Sequence, residues 1–243
     1  MQTGKVLGIG AVLSAGLLAA HVASAATLTL EEYVVGGGYK STSLTGSAGS
    51  YSAGAGSYVG LSWTGVSASV VNSGGTASLS LSFTGLTGTG YQGFLVSDTS
   101  FSETGTGLTL AASSSSTVTS GSGGGVFSGI AFADKNNTLF GVPSSDSSGY
   151  PNNSVVAESS GAYSASPSSP QTVSSISSPY SLTTNGVVDT SLAGGGSTYN
   201  FTAVTSVTGG TTSAVTLPGS GPLTIVGGLV VVGGLAIRRR MKV

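Results

Sequence analysis

The chain has 243 residues, of which 6% are charged and none is cysteine, against roughly 25% charged residues in ordinary globular proteins. The lack of cysteine excludes disulfide staples and leaves stability to the core or to a metal. Five of the seven basic residues (Lys5, Arg238, Arg239, Arg240 and Lys242) are terminal, so the middle keeps Lys40 and Lys135 against all eight acids, a balance that excludes binding to a row of phosphates and hence to nucleic acid.

The front end reads MQTGKVLGIGAVLSAGLLAAHVASAA. A basic residue, Lys5, precedes an apolar run from Val6 to Ala20, and Ala23-Ser24-Ala25 follows in the A-x-A arrangement that signal peptidase accepts. Cleavage is expected after Ala25, making residues 1–25 a signal peptide. The one histidine, His21, leaves with it.

Residues 26–216 are expected to form one exported all-β domain. ATLTLEEYVV opens it with Leu28 and Leu30 alternating against Thr27 and Thr29. In TASLSLSF the alternation is cleaner, with Leu79, Leu81 and Phe83 on one face and Ser78, Ser80 and Ser82 on the other, the period of a half-buried strand. Further strands are expected at Tyr58–Ser62, Val66–Val71, Tyr91–Ser97, Gly107–Ala111, Gly125–Phe132 and Thr138–Val142. Others follow at Ser154–Glu158, Thr172–Ile176, Gly186–Thr190 and Thr198–Val207. Turn residues such as Asn72-Ser73-Gly74-Gly75 and Thr87-Gly88-Thr89-Gly90 lie between them.

About ten short strands without helical periodicity imply a β-sandwich or jelly roll. A β-solenoid is the alternative, ranked second because related fragments at Leu44, Thr84 and Thr104 recur without constant spacing. Ala111–Gly125 and Ser159–Ser169 have few apolar residues to bury and read as flexible surface loops.

A mature domain without His or Cys lacks the commonest catalytic groups. Neither lysine of the middle stands in an S-x-x-K arrangement. Asp98 and Glu103, five residues apart around Phe101, are the nearest carboxylate pair, and they read better as solvated loop acids. Asp134-Lys135-Asn136-Asn137 and Asp146-Ser147-Ser148-Gly149 offer oxygens for calcium but lack D-x-D-x-D-G spacing. Turns in which Asp and Asn bond their own backbone explain both better. Three N-x-S/T triplets, at Asn136, Asn152 and Asn200, are expected by chance at this composition. No catalytic, cofactor or metal residue is therefore assigned, and the chain is not expected to be an enzyme.

Residues 217–243 form the other special segment. Leu223 to Ile237 carries no charge, and its fifteen residues as a helix span about 22 Å, short of a hydrocarbon core of about 30 Å. Nine Leu, Ile or Val residues favour insertion by about 3–5 kcal/mol, whereas dragging Arg238, Arg239 and Arg240 across costs about 8–10 kcal/mol. The arginines therefore act as a stop-transfer signal, with the C-terminus cytoplasmic and the domain outside.

This tail, with a short proline-containing motif (Leu217, Pro218, Gly219, Ser220, Gly221, Pro222), an adjoining apolar helix with Gly pairs and a terminal arginine cluster, resembles the PEP-CTERM signals of Gram-negative bacteria. It carries no Glu between the two prolines. The resemblance implies handling by an exosortase. Leu217 to Gly221 is also similar to the LPxTG signal of sortases, with Ser220 in place of Thr.

The expected role is that of a non-enzymatic surface or extracellular-matrix protein, processed or anchored at its tail, whose hydroxyl-rich faces and strand edges contact polysaccharide or other copies of the chain. The alternative is a carbohydrate-binding or carbohydrate-active domain using carboxylates with Tyr91, Phe94 and Phe101; Trp63 is the one tryptophan.

Overall fold

The structure, a computed structural model, describes residues 27–34, 37–73, 75–103, 107–141, 152–165, 171–173, 176, 178–193 and 196–209. The signal peptide with Ala23 and Ala25, the sorting motif, the Leu223–Ile237 span, the three arginines and Asp146 lie outside these residues.

The described part is all-β, with no helical residue. Its strands are β1 (Thr27–Tyr33), β2 (Tyr39–Ser47), β3 (Ser50–Ala53), β4 (Gly56–Tyr58), β5 (Leu61–Trp63), β6 (Gly65–Ser73), β7 (Thr76–Gly88) and β8 (Tyr91–Phe101). They continue with β9 (Leu108–Ser120), β10 (Gly125–Asp134), β11 (Asn152–Ala157), β12 (Gly161–Ala165), β13 (Gln171–Val173), β14 (Tyr180–Asp189) and β15 (Thr198–Thr208). All belong to one sheet, ordered β11-β10-β14-β8-β1-β2-β3-β6-β7-β15-β9-β12. The two end strands, β11 and β12, are consecutive in the chain and come within 8 Å of each other, which leaves a nearly closed barrel.

Every strand pairing among the described residues is antiparallel. Stacked solenoid coils would pair in parallel. The physical reason is the short turns. Between β2 and β3, Ala48 (φ 51°) and Gly49 (φ 81°) make a two-residue turn with both φ positive, the hairpin geometry that matches strand twist. A side chain at Gly49 would also strike the Val70 carbonyl. A second turn of this kind, at Val59 (φ 35°) and Gly60 (φ 85°), splits the expected Tyr58–Ser62 strand into β4 and β5.

Period-two alternation sets the inner face. On β7, Ala77, Leu79, Leu81, Phe83 and Leu86 are buried, and on β15 so are Tyr199, Phe201, Ala203, Thr205 and Val207. Side chains meet across the barrel. Trp63 and Phe83 stand edge to face at 5.3 Å, Trp63 and Phe94 at 5.7 Å, and Phe83 and Phe94 are 4.6 Å apart. Phe127 on β10 packs on Tyr199 and Phe201 of β15 at 5.0 and 5.3 Å. Such aromatic pairs add about 0.5–1.5 kcal/mol each to simple area burial.

Other expectations differ from the structure as well, and Asp98, read as a solvated loop acid, is buried on β8. Most of the expected loop Ala111–Gly125 is the last ten residues of β9, whose inward positions there are Ala112, Ser114, Ser116 and Val118, the two serines being small enough to be buried without being apolar. Within Ser159–Ser169, Gly161–Ala165 is β12, paired with β9. The described part of Thr138–Val142 is a turn rather than a strand, with Phe140 at φ 55° and the Gly141 amide bonded to the Thr138 carbonyl.

Candidate functional site: a tyrosine platform and a hydroxyl face

The acids and aromatics singled out in the sequence do not share a groove among the described residues. Phe94 is fully buried in the aromatic core. Phe101 is buried too, stacked on Tyr180 at 5.9 Å. Tyr91, half exposed, sits at the other end of β8, ten residues and therefore roughly 30 Å from Phe101. The Asp98 carboxylate accepts the Thr99 amide proton at 2.8 Å and lies near Tyr51, whereas Glu103 lies near Tyr180. At Asp134, Oδ1 accepts the Asn136 amide at 2.9 Å, the self-bonded turn expected there. Among the described residues no group of three or more His, Cys, Asp or Glu could hold a metal ion.

Two features of the outer surface stand out instead. The first is a row of hydroxyls. The pairing register places Thr27, Thr45, Ser52, Ser67, Ser82, Thr202, Ser115 and Ser164 side by side on β1, β2, β3, β6, β7, β15, β9 and β12. None of the eight is buried. At about 4.8 Å per strand the row is about 34 Å long, measured around the sheet. Ser82 and Thr202 hydrogen-bond to each other at 2.9 Å. Strands β3 to β7, β9, β12, β13 and β15 carry no charged residue.

The second is a cluster of tyrosines toward the other ends of β1 and β2, continuing onto β8. Tyr33 on β1 pairs with Tyr39 on β2 on one side and with Gly93 on β8 on the other. Gly93 has no side chain, and the Tyr33 ring fills that space: a Cβ there would fall 2.1 Å from Tyr33 Cζ. The Tyr33 hydroxyl then reaches β14, where Asn185 Nδ2 donates to it at 2.9 Å. A ring that starts on β1 and ends at β14 crosses β8 and lies over Gly93. Tyr39 stands beside it, with ring centroids 6.0 Å apart and planes at 33°. Tyr91 lies two residues from Gly93 on the same face of β8. Tyr39 is 72% exposed and Tyr91 50%.

Burial pushes the Tyr33 phenol above its ordinary value of 10.0, the Asn185 hydrogen bond opposes this, and Tyr91 and Tyr39 add to it. The hydroxyl is therefore neutral at physiological pH, able both to donate and to accept.

Beneath the platform the hairpin is held from inside. Glu32, fully buried, pairs with Lys40 across the strands at 3.2 Å and accepts the Thr42 hydroxyl proton at 2.8 Å. Lys40 also donates to the Ser57 carbonyl at 2.9 Å and lies 5.9 Å from the centre of the Trp63 ring. The Tyr58 hydroxyl donates to the Gly38 carbonyl, and the Gln92 amide donates to the Val59 carbonyl. These bonds seat the β4–β5 turn against β2 and β8.

Of the platform residues, sequence reasoning named Tyr91 alone. The available signal was the symmetric placing of Tyr33 and Tyr39 around a Gly-rich turn, which makes them cross-strand partners once β2 is recognised. No protein-family model matches the chain, and no curated protein matches it.

Proposed function

We propose that this chain is a non-enzymatic exported protein of the cell surface or extracellular matrix, processed or anchored through its C-terminal tail. The observation that carries the reading is the uncharged hydroxyl row crossing eight strands. Such a surface presents donors and acceptors without a field, and it suits contact with polysaccharide or with another copy of the chain. The scattering of the sequence-nominated acids and aromatics favours binding over catalysis.

Signal peptidase would cut after Ala25. Leu223 to Ile237 would enter the membrane and Arg238, Arg239 and Arg240 would stay in the cytoplasm. The processing enzyme would be exosortase-like, acting at Leu217 to Pro222, or alternatively a sortase acting within Leu217 to Gly221. Contacts across the barrel, such as Thr205 on β15 donating to the Thr183 carbonyl on β14 at 3.1 Å, support a barrel flattened toward the sandwich form.

A reporter fused after Val243 tests the topology. The reporter is expected to be active in the cytoplasm while added protease digests the β-domain from outside the inner membrane. Reporter activity outside, or a β-domain protected in the cytosol, would overturn the reading. The tyrosine platform favours a second reading, that of a carbohydrate-binding domain.

A further inference from the structure

We propose that Tyr33, Tyr39 and Tyr91, with Asn185, form a binding site for a neutral polysaccharide. This deepens the surface-protein reading and rests on it only for where the ligand is met. Three observations lead there. The Tyr33 ring lies across β8 over Gly93, so it covers the sheet there and forms the floor of the surface. Tyr39, 6.0 Å away, and Tyr91 extend that surface and are largely open to solvent. Aromatic faces carry negative charge density, which attracts the C–H face of a pyranose ring. Asn185, buried and bonded to the Tyr33 hydroxyl, fixes where that hydroxyl stands at the platform's border, and a few placed polar groups on an aromatic lining are what orient a ligand.

Charge narrows the class. Glu31 projects from the same face of β1 as Tyr33, and Asp189 pairs with Tyr91. Asp189 is occupied in capping its own turn, accepting from the Ser191 amide and hydroxyl. Lys40 is drawn inward to Glu32 and the Ser57 carbonyl. With two carboxylates at its border and its neighbouring lysine turned away, the platform disfavours polyanions. The side-by-side rings select a chain of stacked sugar faces over a compact solute.

The test is affinity electrophoresis of the full chain, in mild detergent, through native gels containing one polymer at a time: a neutral β-glucan, a neutral mannan, alginate as polyanion and chitosan as polycation. Retardation by at least one neutral polymer is expected. Tyr39→Ala and Tyr91→Ala should each weaken it by about tenfold, and Tyr39→Trp should retain it. Because both side chains are exposed, their loss leaves the core intact, and an unchanged circular dichroism spectrum checks this. Val156→Ala, exposed on β11 and outside both the platform and the hydroxyl row, should have no effect. Retardation by alginate or chitosan alone, by no polymer, or equally by the Tyr39→Ala/Tyr91→Ala double variant would overturn the proposal. None of these outcomes bears on export, which the reporter fusion tests separately.

Discussion

Thr184 on β14 donates its hydroxyl to the carbonyl of Leu79 on β7, 2.7 Å away, through the interior of the barrel. The two residues are 105 positions apart and not on paired strands. The bond puts a polar group in the core and satisfies it there, so the hydroxyl ties the two sides of the sheet together. Thr184→Val keeps the shape and removes the donor. A loss of about 1–2 kcal/mol is expected in urea unfolding, while Thr184→Ser should lose less.

The buried Glu32 carboxylate depends on Lys40. Lys40→Met strands the charge and should cost about 3 kcal/mol. Adding Glu32→Gln removes the charge itself, so the double variant should recover part of that loss. A double-mutant cycle by thermal unfolding checks this, and additive losses would show that the pair is not coupled.

Tyr33, Tyr51 and Tyr180 all have phenols pushed above their ordinary value, in each case mainly by burial. Nearby acids contribute at Tyr51 (Asp98) and Tyr180 (Glu103). Burial holds the neutral form, so the unfolded chain loses these protons first. Stability from these groups is full below pH 10, falls as pH rises above it, and continues to fall toward the folded pKa values. An ultraviolet titration should show, above the ordinary phenol range, a second phase that belongs to these three groups. Replacing Gly93 by Val, which evicts the Tyr33 ring, should shrink that second phase.

Val59 holds a positive φ of 35° in an exposed turn, a conformation that β-branched residues resist. Val59→Gly relieves this, since the contact made there by Gln92 is to the backbone carbonyl. The variant is expected to be about 1 kcal/mol more stable in thermal unfolding.

The strands legible in the sequence were those whose two faces differ chemically. In β7, leucines alternate with serines, and the pattern reads directly. It fails where an inward position is small or polar. In β9, Ser114 and Ser116 are buried beside Ser113 and Ser115 that are not, and the letters are the same. In β14, the inward Thr184 and Gly186 hid all but the strand's last four residues; a Cβ at Gly186 would meet the Phe201 ring at 2.8 Å, so the small residue is required by packing across the barrel. In β2, Leu44 is the one buried residue, and no alternation exists to be read. The tyrosine platform was hidden for the same reason, since it depends on the register of β2 against β1.

The most direct test of the account is the intact mass of the protein recovered from producing cells. A species beginning at Ala26 is expected, ending either within Leu217 to Gly221 if the tail is processed or at Val243 if the helix is kept as an anchor. A mass that retains Met1 would mean that the leader is not removed, and it would contradict the assignment of this β-domain to the cell exterior.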